Sequence, residues 1–167
     1  MKKMLQVILI AGTGLVGLAS VLVHPFGAVK ARTANTPLLT GTPVDPSVVR
    51  IMERSCQNCH SERTDWPWYS YVAPMSWLIE NDVRRGRSHM NLSHWDEYNL
   101  EKQQGILTEL GAMIRSRQMP LPRYIRLHPS AKLSDAEIDQ IYQWAQAERR
   151  RLKSITGAAH GLPKTQD

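Results

Sequence analysis

Cys56-Gln57-Asn58-Cys59-His60 holds the most specific chemistry of the chain. It has the C-x-x-C-H spacing of a covalently attached c-type haem. Two thiols three residues apart on a helical turn can form thioether bonds to the vinyl groups of one porphyrin, and the residue that follows then projects an imidazole at the iron. Cys56 and Cys59 are thus the candidate attachment residues and His60 the proximal ligand. Both cysteines of the chain lie in this stretch.

The residues just upstream prepare it. Asp45-Pro46 reads as an N-cap followed by a first-turn proline. Val48, Val49, Ile51, Met52 and Ser55 then share one helix-period face that runs directly into Cys56, so a helix presents the attachment turn at its C-terminal end. Between Lys30 and Pro46 the chain is rich in Thr, Pro and Gly without periodicity, and residues 31–45 read as a linker. Before that, Met4 to Val23 is interrupted by polar side chains only at Gln6, Thr13 and Ser20. Such a length is about the twenty residues needed to span a bilayer, and Lys2 and Lys3 would keep its N-terminus cytoplasmic. Residues 1–30 are therefore expected to be a transmembrane anchor or signal helix, with an uncleaved anchor preferred because a signal peptide has a shorter apolar region. The domain would then lie on the periplasmic or extracytoplasmic side of the cytoplasmic membrane.

Downstream, Asp65-Trp66-Pro67-Trp68-Tyr69 crowds three aromatics around a proline, either as a core corner or as a wall of the haem pocket. A helix is predicted from Pro74, with Met75, Leu78, Ile79 and Val83 toward the core, Glu80, Asp82, Arg84 and Arg85 toward water, and Gly86 weakening its last turn. His89 to Asn99 reads as a connection with one helical turn and Ser93 as a possible cap. A third helix is predicted from Leu100 to Arg117, carrying Ile106, Leu107, Leu110, Met113 and Ile114. Met119-Pro120-Leu121-Pro122 stops it, and an extended loop reaches Pro129. Ser134 and Glu137 form a capping box for the last helix, whose stripe is Ile138, Ile141, Tyr142, Ala145 and Leu152, fraying beyond Ile155. No strand or repeat is evident.

Other uses of the cysteines fit the sequence less well than haem. A disulfide across so short a loop would stabilise little, and no βαβ pattern flanks Cys56 as a thioredoxin-like pair would require. Zinc needs four ligands, which Cys56, Cys59, His89 and His94 could supply, but the gap between the pairs is longer than in a compact finger.

A six-coordinate haem needs a second axial ligand. Met119 is the first candidate, because it sits at a helix stop, Pro120 stiffens the segment after it and the last helix lies close behind. His128 and His89 compete with it. Met75, Met90 and Met113 are weaker, two lying on predicted helix faces and one in a polar connection. An open sixth position would instead make the iron reactive toward peroxide or able to hold a gas.

With 167 residues and a net charge of +6, the chain has room for one domain plus a leader. Its arginines gather at Arg84, Arg85 and Arg87, at Arg115, Arg117, Arg123 and Arg126, and at Arg149 to Arg151 with Lys153. Charge runs of this kind are commonly solvated helix faces; a functional use would be to steer an acidic redox partner or rest on anionic lipid. No binding motif for nucleic acid accompanies the charge.

Cys56 to His60, Trp66-Pro67-Trp68-Tyr69-Ser70, Ala73-Pro74-Met75-Ser76-Trp77-Leu78, Met119-Pro120, Tyr124, His128-Pro129 and Lys132-Leu133-Ser134 together resemble the bacterial haem-binding domain family over about residues 48 to 148. That resemblance implies one covalent haem in a helical, cytochrome c-like domain, commonly exported and tethered. It also implies Met119 as the distal ligand.

The expectation is an all-α protein with a leader over residues 1–30, a linker over 31–45, a haem-binding domain over 46–155 and a flexible tail over 156–167. Its expected function is that of a membrane-anchored monohaem c-type cytochrome carrying single electrons, an electron-transfer protein more than an enzyme. The rivals are a haem enzyme or sensor with an exchangeable sixth ligand and a zinc-stabilised module.

Overall fold

A computed structural model describes residues 2–22 and 37–160, with the side chains of residues 19–22 and 158–160 outside the description. Among the described residues there are helices and turns but no strand. The helices are α1 (Lys2–Leu22), α2 (Pro46–Ser55), α3 (Gln57–His60), α4 (Met75–His89), α5 (Leu100–Arg115), α6 (Pro122–Leu127) and α7 (Asp135–His160). Three 3-10 turns, Trp68–Tyr71, Leu92–Glu97 and Pro129–Ala131, join them.

The long helices α5 and α7 form the central pair, with α2 across α7 and the short α3 against α4. Buried Ile106, Leu107 and Ile114 of α5 meet Ile138, Ile141, Ala145 and Leu152 of α7, and Val48, Ile51 and Met52 of α2 complete the cluster with Leu92 and Trp95. Each such aliphatic side chain contributes roughly 1.5–3 kcal/mol when fully buried. Gly111 sets the spacing: a Cβ there would stand 3.1 Å from the Tyr142 ring. The opposite requirement, a cation for the ring, is met by Arg115, whose guanidinium lies 4.5 Å from the Tyr142 centroid.

Local signals in the sequence are realised at several helix starts. Asp45 accepts a hydrogen bond from Ser47 N–H at 2.7 Å. At α7, Glu137 accepts from Ser134 N–H at 2.8 Å while Ser134 Oγ accepts from Glu137 N–H at 3.3 Å, a reciprocal capping box. The cap in the middle of the chain is not Ser93 but Asn91, which accepts from Ser93 N–H at 3.1 Å. Ser93 is instead buried, its hydroxyl accepting from Glu62 N–H at 3.1 Å.

Other expectations are revised. Helix α4 buries Ser76, Glu80, Val83 and Gly86; of the expected core face Val83 is buried, Met75 and Ile79 are partly so and Leu78 is 39% exposed, while Glu80, expected in water, is buried. The physical reason is the neighbour. Helix α4 packs against α3 and the Trp68–Tyr71 turn, and at Gly86 the α3 backbone comes too close for a side chain. The segment after Met119 is not an extended loop but contains α6 and the Pro129–Ala131 turn, since Pro122 and Pro129 each occupy a first-turn position.

The described end of the expected linker is part of the domain. Leu38 and Leu39 belong to the hydrophobic core, and Leu39 N–H donates to the Leu92 carbonyl at 2.9 Å. Leu39 adopts φ 58°, a left-handed conformation that costs roughly 1–2 kcal/mol in a residue with a Cβ. Burial of its side chain offsets that cost. Residues 31–36 lie outside the described residues. Helix α7 continues past Ile155 to His160, so the first part of the expected tail is helical, and residues 161–167 lie outside the described ones.

The expected leader forms α1, and its side chains from Met4 to Leu18 are solvent-exposed, Ile10 by 73%. Among the described residues no helix is long and apolar enough to cross a membrane.

Candidate haem site

Helix α2 ends at Ser55, Cys56 N–H closes its last turn on the Met52 carbonyl at 2.8 Å, and α3 begins one residue later. This break turns the two cysteines and His60 to the mouth of a cavity of about 400 Å³. Its apolar wall includes Ile106, Leu110, Met113 and Ile114 of α5 with Leu133, and it closes with Met119, Pro120, Leu121 and Tyr124. Cys56, Cys59, His60 and Met119 therefore line one space, although Met119 lies far along the chain from the other three.

Each group at the attachment turn is in the form that a haem requires. Both cysteines are free thiols. Burial pushes Cys56 up to about 12, with Cys59 adding to the shift, and burial with nearby Asp82 pushes Cys59 up to about 11. Burial thus favours the neutral S–H form of both cysteines in the free protein. His60 is held neutral because burial lowers its pKa, against hydrogen bonds from its ring to backbone carbonyls. Its Nδ1–H donates to the Met90 carbonyl at 3.1 Å. A proton fixed on Nδ1 leaves the Nε2 lone pair for a metal.

The turn is held from outside as well. Asn58, between the cysteines, donates from Nδ2 to Tyr124 Oη at 3.0 Å and accepts from Asp65 N–H at 3.0 Å. Its backbone carbonyl accepts from the Thr64 hydroxyl at 2.8 Å. Arg87 donates to the Ser61 carbonyl at 2.8 Å and to Thr64 Oγ1 at 3.1 Å, and pairs with Glu62 at 3.1 Å. Although Arg87 belongs to an arginine cluster, its side chain is only 13% exposed and serves as an internal clamp. Gly86 completes the fit: a Cβ there would meet the Cys59 carbonyl oxygen at 2.4 Å. Gly86 does not end α4 early, then, but permits the attachment turn to lie on it. The other arginines are also partly absorbed, with ion pairs from Arg117 to Asp135, Arg123 to Asp82 and Arg151 to Glu148.

Met119 is delivered by a reversal at the end of α5. Arg117 adopts φ 55°, and the Gln118 and Met119 N–H groups both donate to the Met113 carbonyl, at 3.0 and 3.2 Å. The Arg117–Asp135 pair ties this reversal to the first turn of α7.

The competing ligands separate. His128 lines a second, smaller cavity of about 110 Å³ and not the first; it is bonded to Tyr69 Oη at 2.6 Å and stacked on Tyr124. His89 lines the main cavity, but it adjoins Met90, whose carbonyl fixes His60, so it stands on the His60 side. Met90 and Met113 share the main cavity, and Met75 lines the second. His94 is turned to Glu97, 2.6 Å away, and Glu62, 3.7 Å away. Among the described residues no group of three or more His, Cys, Asp or Glu gathers as a metal site, so the four-ligand zinc arrangement is not assembled. Nor do the aromatics near Pro67 form the main wall, since Pro67 and Tyr69 line the second cavity and Trp68 is 79% exposed.

Sequence reasoning missed Asn58, Gly86 and Arg87 as supports of the site. A small residue at a helix position facing the motif was the one available signal, and only for Gly86.

The sequence profile described as "Haem-binding domain" matches residues 15–147. Among curated proteins the chain is similar to "Cytochrome c peroxidase Ccp" of Escherichia coli (strain K12), 28% identical over 102 residues. That alignment takes in 59% of this chain and 22% of the relative, so the chain spans only about a fifth of that protein's length. No solved structure matches.

Proposed function

Because the chain belongs to the haem-binding domain family, we propose that it is a monohaem c-type cytochrome that carries single electrons, tethered by its N-terminal helix outside the cytoplasmic membrane. One observation carries the proposal: Cys56, Cys59, His60 and Met119 line the same cavity. When bound, the haem supplies a one-electron ferric/ferrous couple.

The chain's own residues do the rest. Cys56 and Cys59 would hold the haem through thioether bonds to its two vinyl groups. His60 presents Nε2 because its Nδ1–H is bound to Met90, and Met119 presents its thioether from the α5–α6 reversal. A His/Met pair raises the reduction potential relative to two histidines. The apolar α5 wall limits water around the site, which suits electron transfer with little reorganisation. A partner with an acidic face suits the +6 charge.

The exposed apolar row of α1 supports the tether. Protein lacking residues 1–30 should leave the membrane fraction; pelleting with membranes as before would remove the tether.

The main test is a denaturing gel stained for haem. A stained band is expected from the parent, with none from the double variant Cys56→Ala, Cys59→Ala. Met119→Ala should convert a low-spin spectrum to a high-spin, ligand-accepting one, and an unchanged spectrum would move the ligand elsewhere. Peroxide reduction is the second reading, favoured by the similarity to a cytochrome c peroxidase and by Glu109 on the cavity lining, a group able to exchange protons. A high-spin parent that consumes peroxide would select it.

A further inference from the structure

A line of aromatic rings runs from solvent to the attachment turn. Its outer member is Trp68, 79% exposed. Trp68 meets Tyr69 edge-on, with centroids 5.8 Å apart. The Tyr69 hydroxyl shares a 2.6 Å hydrogen bond with His128 Nε2. The His128 ring stacks on Tyr124 at 4.3 Å and 20°. Tyr124 lines both cavities, as does Cys59, and its hydroxyl accepts from Asn58, the neighbour of Cys59 in the motif. The path from open solvent to the haem-bearing turn therefore passes through ring contacts and two hydrogen bonds, Tyr69–His128 and Asn58–Tyr124.

Packing alone gives a poor account of this line. A large indole left in water at one end buries little apolar area, and the Tyr69–His128 contact joins two polar groups that solvent could satisfy separately. The same features suit electron passage. Rings in contact couple more strongly than aliphatic side chains or gaps, and a histidine on the Tyr69 hydroxyl can hold the phenolic proton if charge passes through that ring.

The geometry points to Trp68–Tyr69–His128–Tyr124 as the electron port of the protein, through which a one-electron redox reactant at Trp68 exchanges an electron with the haem. The port rests on the reading of the main cavity as a one-electron haem site. In the outward direction one electron leaves the ferrous iron, an external oxidant at Trp68 is reduced by one electron, and no atom is transferred. Any proton that Tyr69 releases passes to His128 Nε2 and returns.

The test uses the full-length, haem-loaded protein in its reduced state. A photogenerated ruthenium(III) polypyridyl complex serves as the soluble oxidant, and transient absorption follows conversion of ferrous to ferric haem. Trp68→Leu is expected to slow haem oxidation severalfold, and His128→Leu, which breaks the line inside, to slow it likewise. Tyr71→Leu alters an equally superficial ring in the same turn, 60% exposed, and should leave the rate unchanged. Because Trp68 is exposed, its replacement does not threaten folding, and an unchanged haem spectrum and unfolding midpoint would verify this. Equal rates in the parent and Trp68→Leu would overturn the port, showing that electrons enter elsewhere, while leaving the carrier intact. Loss of the haem stain in the parent would remove both.

Discussion

The two sides of the haem cavity are built differently. On the side of His60, the ring is bonded to the Met90 carbonyl, Arg87 binds the loop that follows through Ser61, Glu62 and Thr64, and Gly86 lets α4 and the attachment turn touch at backbone distance. On the side of Met119, a short reversal hangs on two hydrogen bonds to one carbonyl and on ion pairs of exposed arginines, Arg117 to Asp135 and Arg123 to Asp82. Arg117–Asp135 is exposed on both sides and contributes little, whereas Arg123 grips Asp82 with two nitrogens and Asp82 is only 17% exposed. The His60 side is thus a preformed socket, and the Met119 side a flap held by fewer and more exposed ties.

Breaking the socket should cost most. Arg87→Ala leaves Glu62, with its side chain only 12% exposed, without its cation, at about 3 kcal/mol; urea unfolding of the haem-loaded protein would register it as a lower midpoint with unchanged slope. Gly86→Ala comes next. The new methyl cannot be accommodated at 2.4 Å from a backbone oxygen without moving α3, and overpacking of this kind costs roughly 1–3 kcal/mol. Its second signature is a fall in haem attachment during maturation, seen by stain per protein; normal yield and stability would show that the close approach is dispensable.

Tyr124→Phe sharpens the contrast from the other side. It deletes the acceptor for Asn58 and thereby the tie between α6 and the attachment turn, for about 1 kcal/mol. The effect should fall on the flap. The sulfur-to-iron charge-transfer feature is expected to vanish at urea concentrations below global unfolding, a sub-global opening; simultaneous loss of both would mean that the two sides are one unit. Smallest is a pH effect at the foot of α7. The Ser134 backbone N–H, outweighing a small opposing desolvation, and then Arg54 hold Glu137 below the usual glutamate range. A carboxylate with a lowered folded pKa contributes stability above its unfolded value, near 4.5, that is lost as pH falls through the lower folded value. Glu137→Gln should flatten that part of the acid-unfolding curve by slightly lowering stability at neutral pH, toward the value the parent keeps in acid.

Much of the socket's chemistry could be read from five residues because its logic is local: spacing on one turn fixes two sulfurs and an imidazole together. Helix starts at Asp45 and Ser134 were legible for the same reason. What could not be read is what depends on the neighbour. The inner face of α4 follows from a backbone pressed against it and not from hydropathy, so Glu80 and Ser76 are buried while Leu78 is not. Arg87 looks like its neighbours Arg84 and Arg85 in a string of letters, and only the fold turns it inward. Met119 could be nominated from its place before Pro120, but its arrival in the cavity depends on the left-handed turn at Arg117, a residue with no propensity for one.

Leu39 has a mechanical meaning. Its N–H grips the Leu92 carbonyl, two residues beyond the Met90 carbonyl that holds His60. Tension applied to the chain at residue 37 is therefore delivered to the segment that holds the His60 ring.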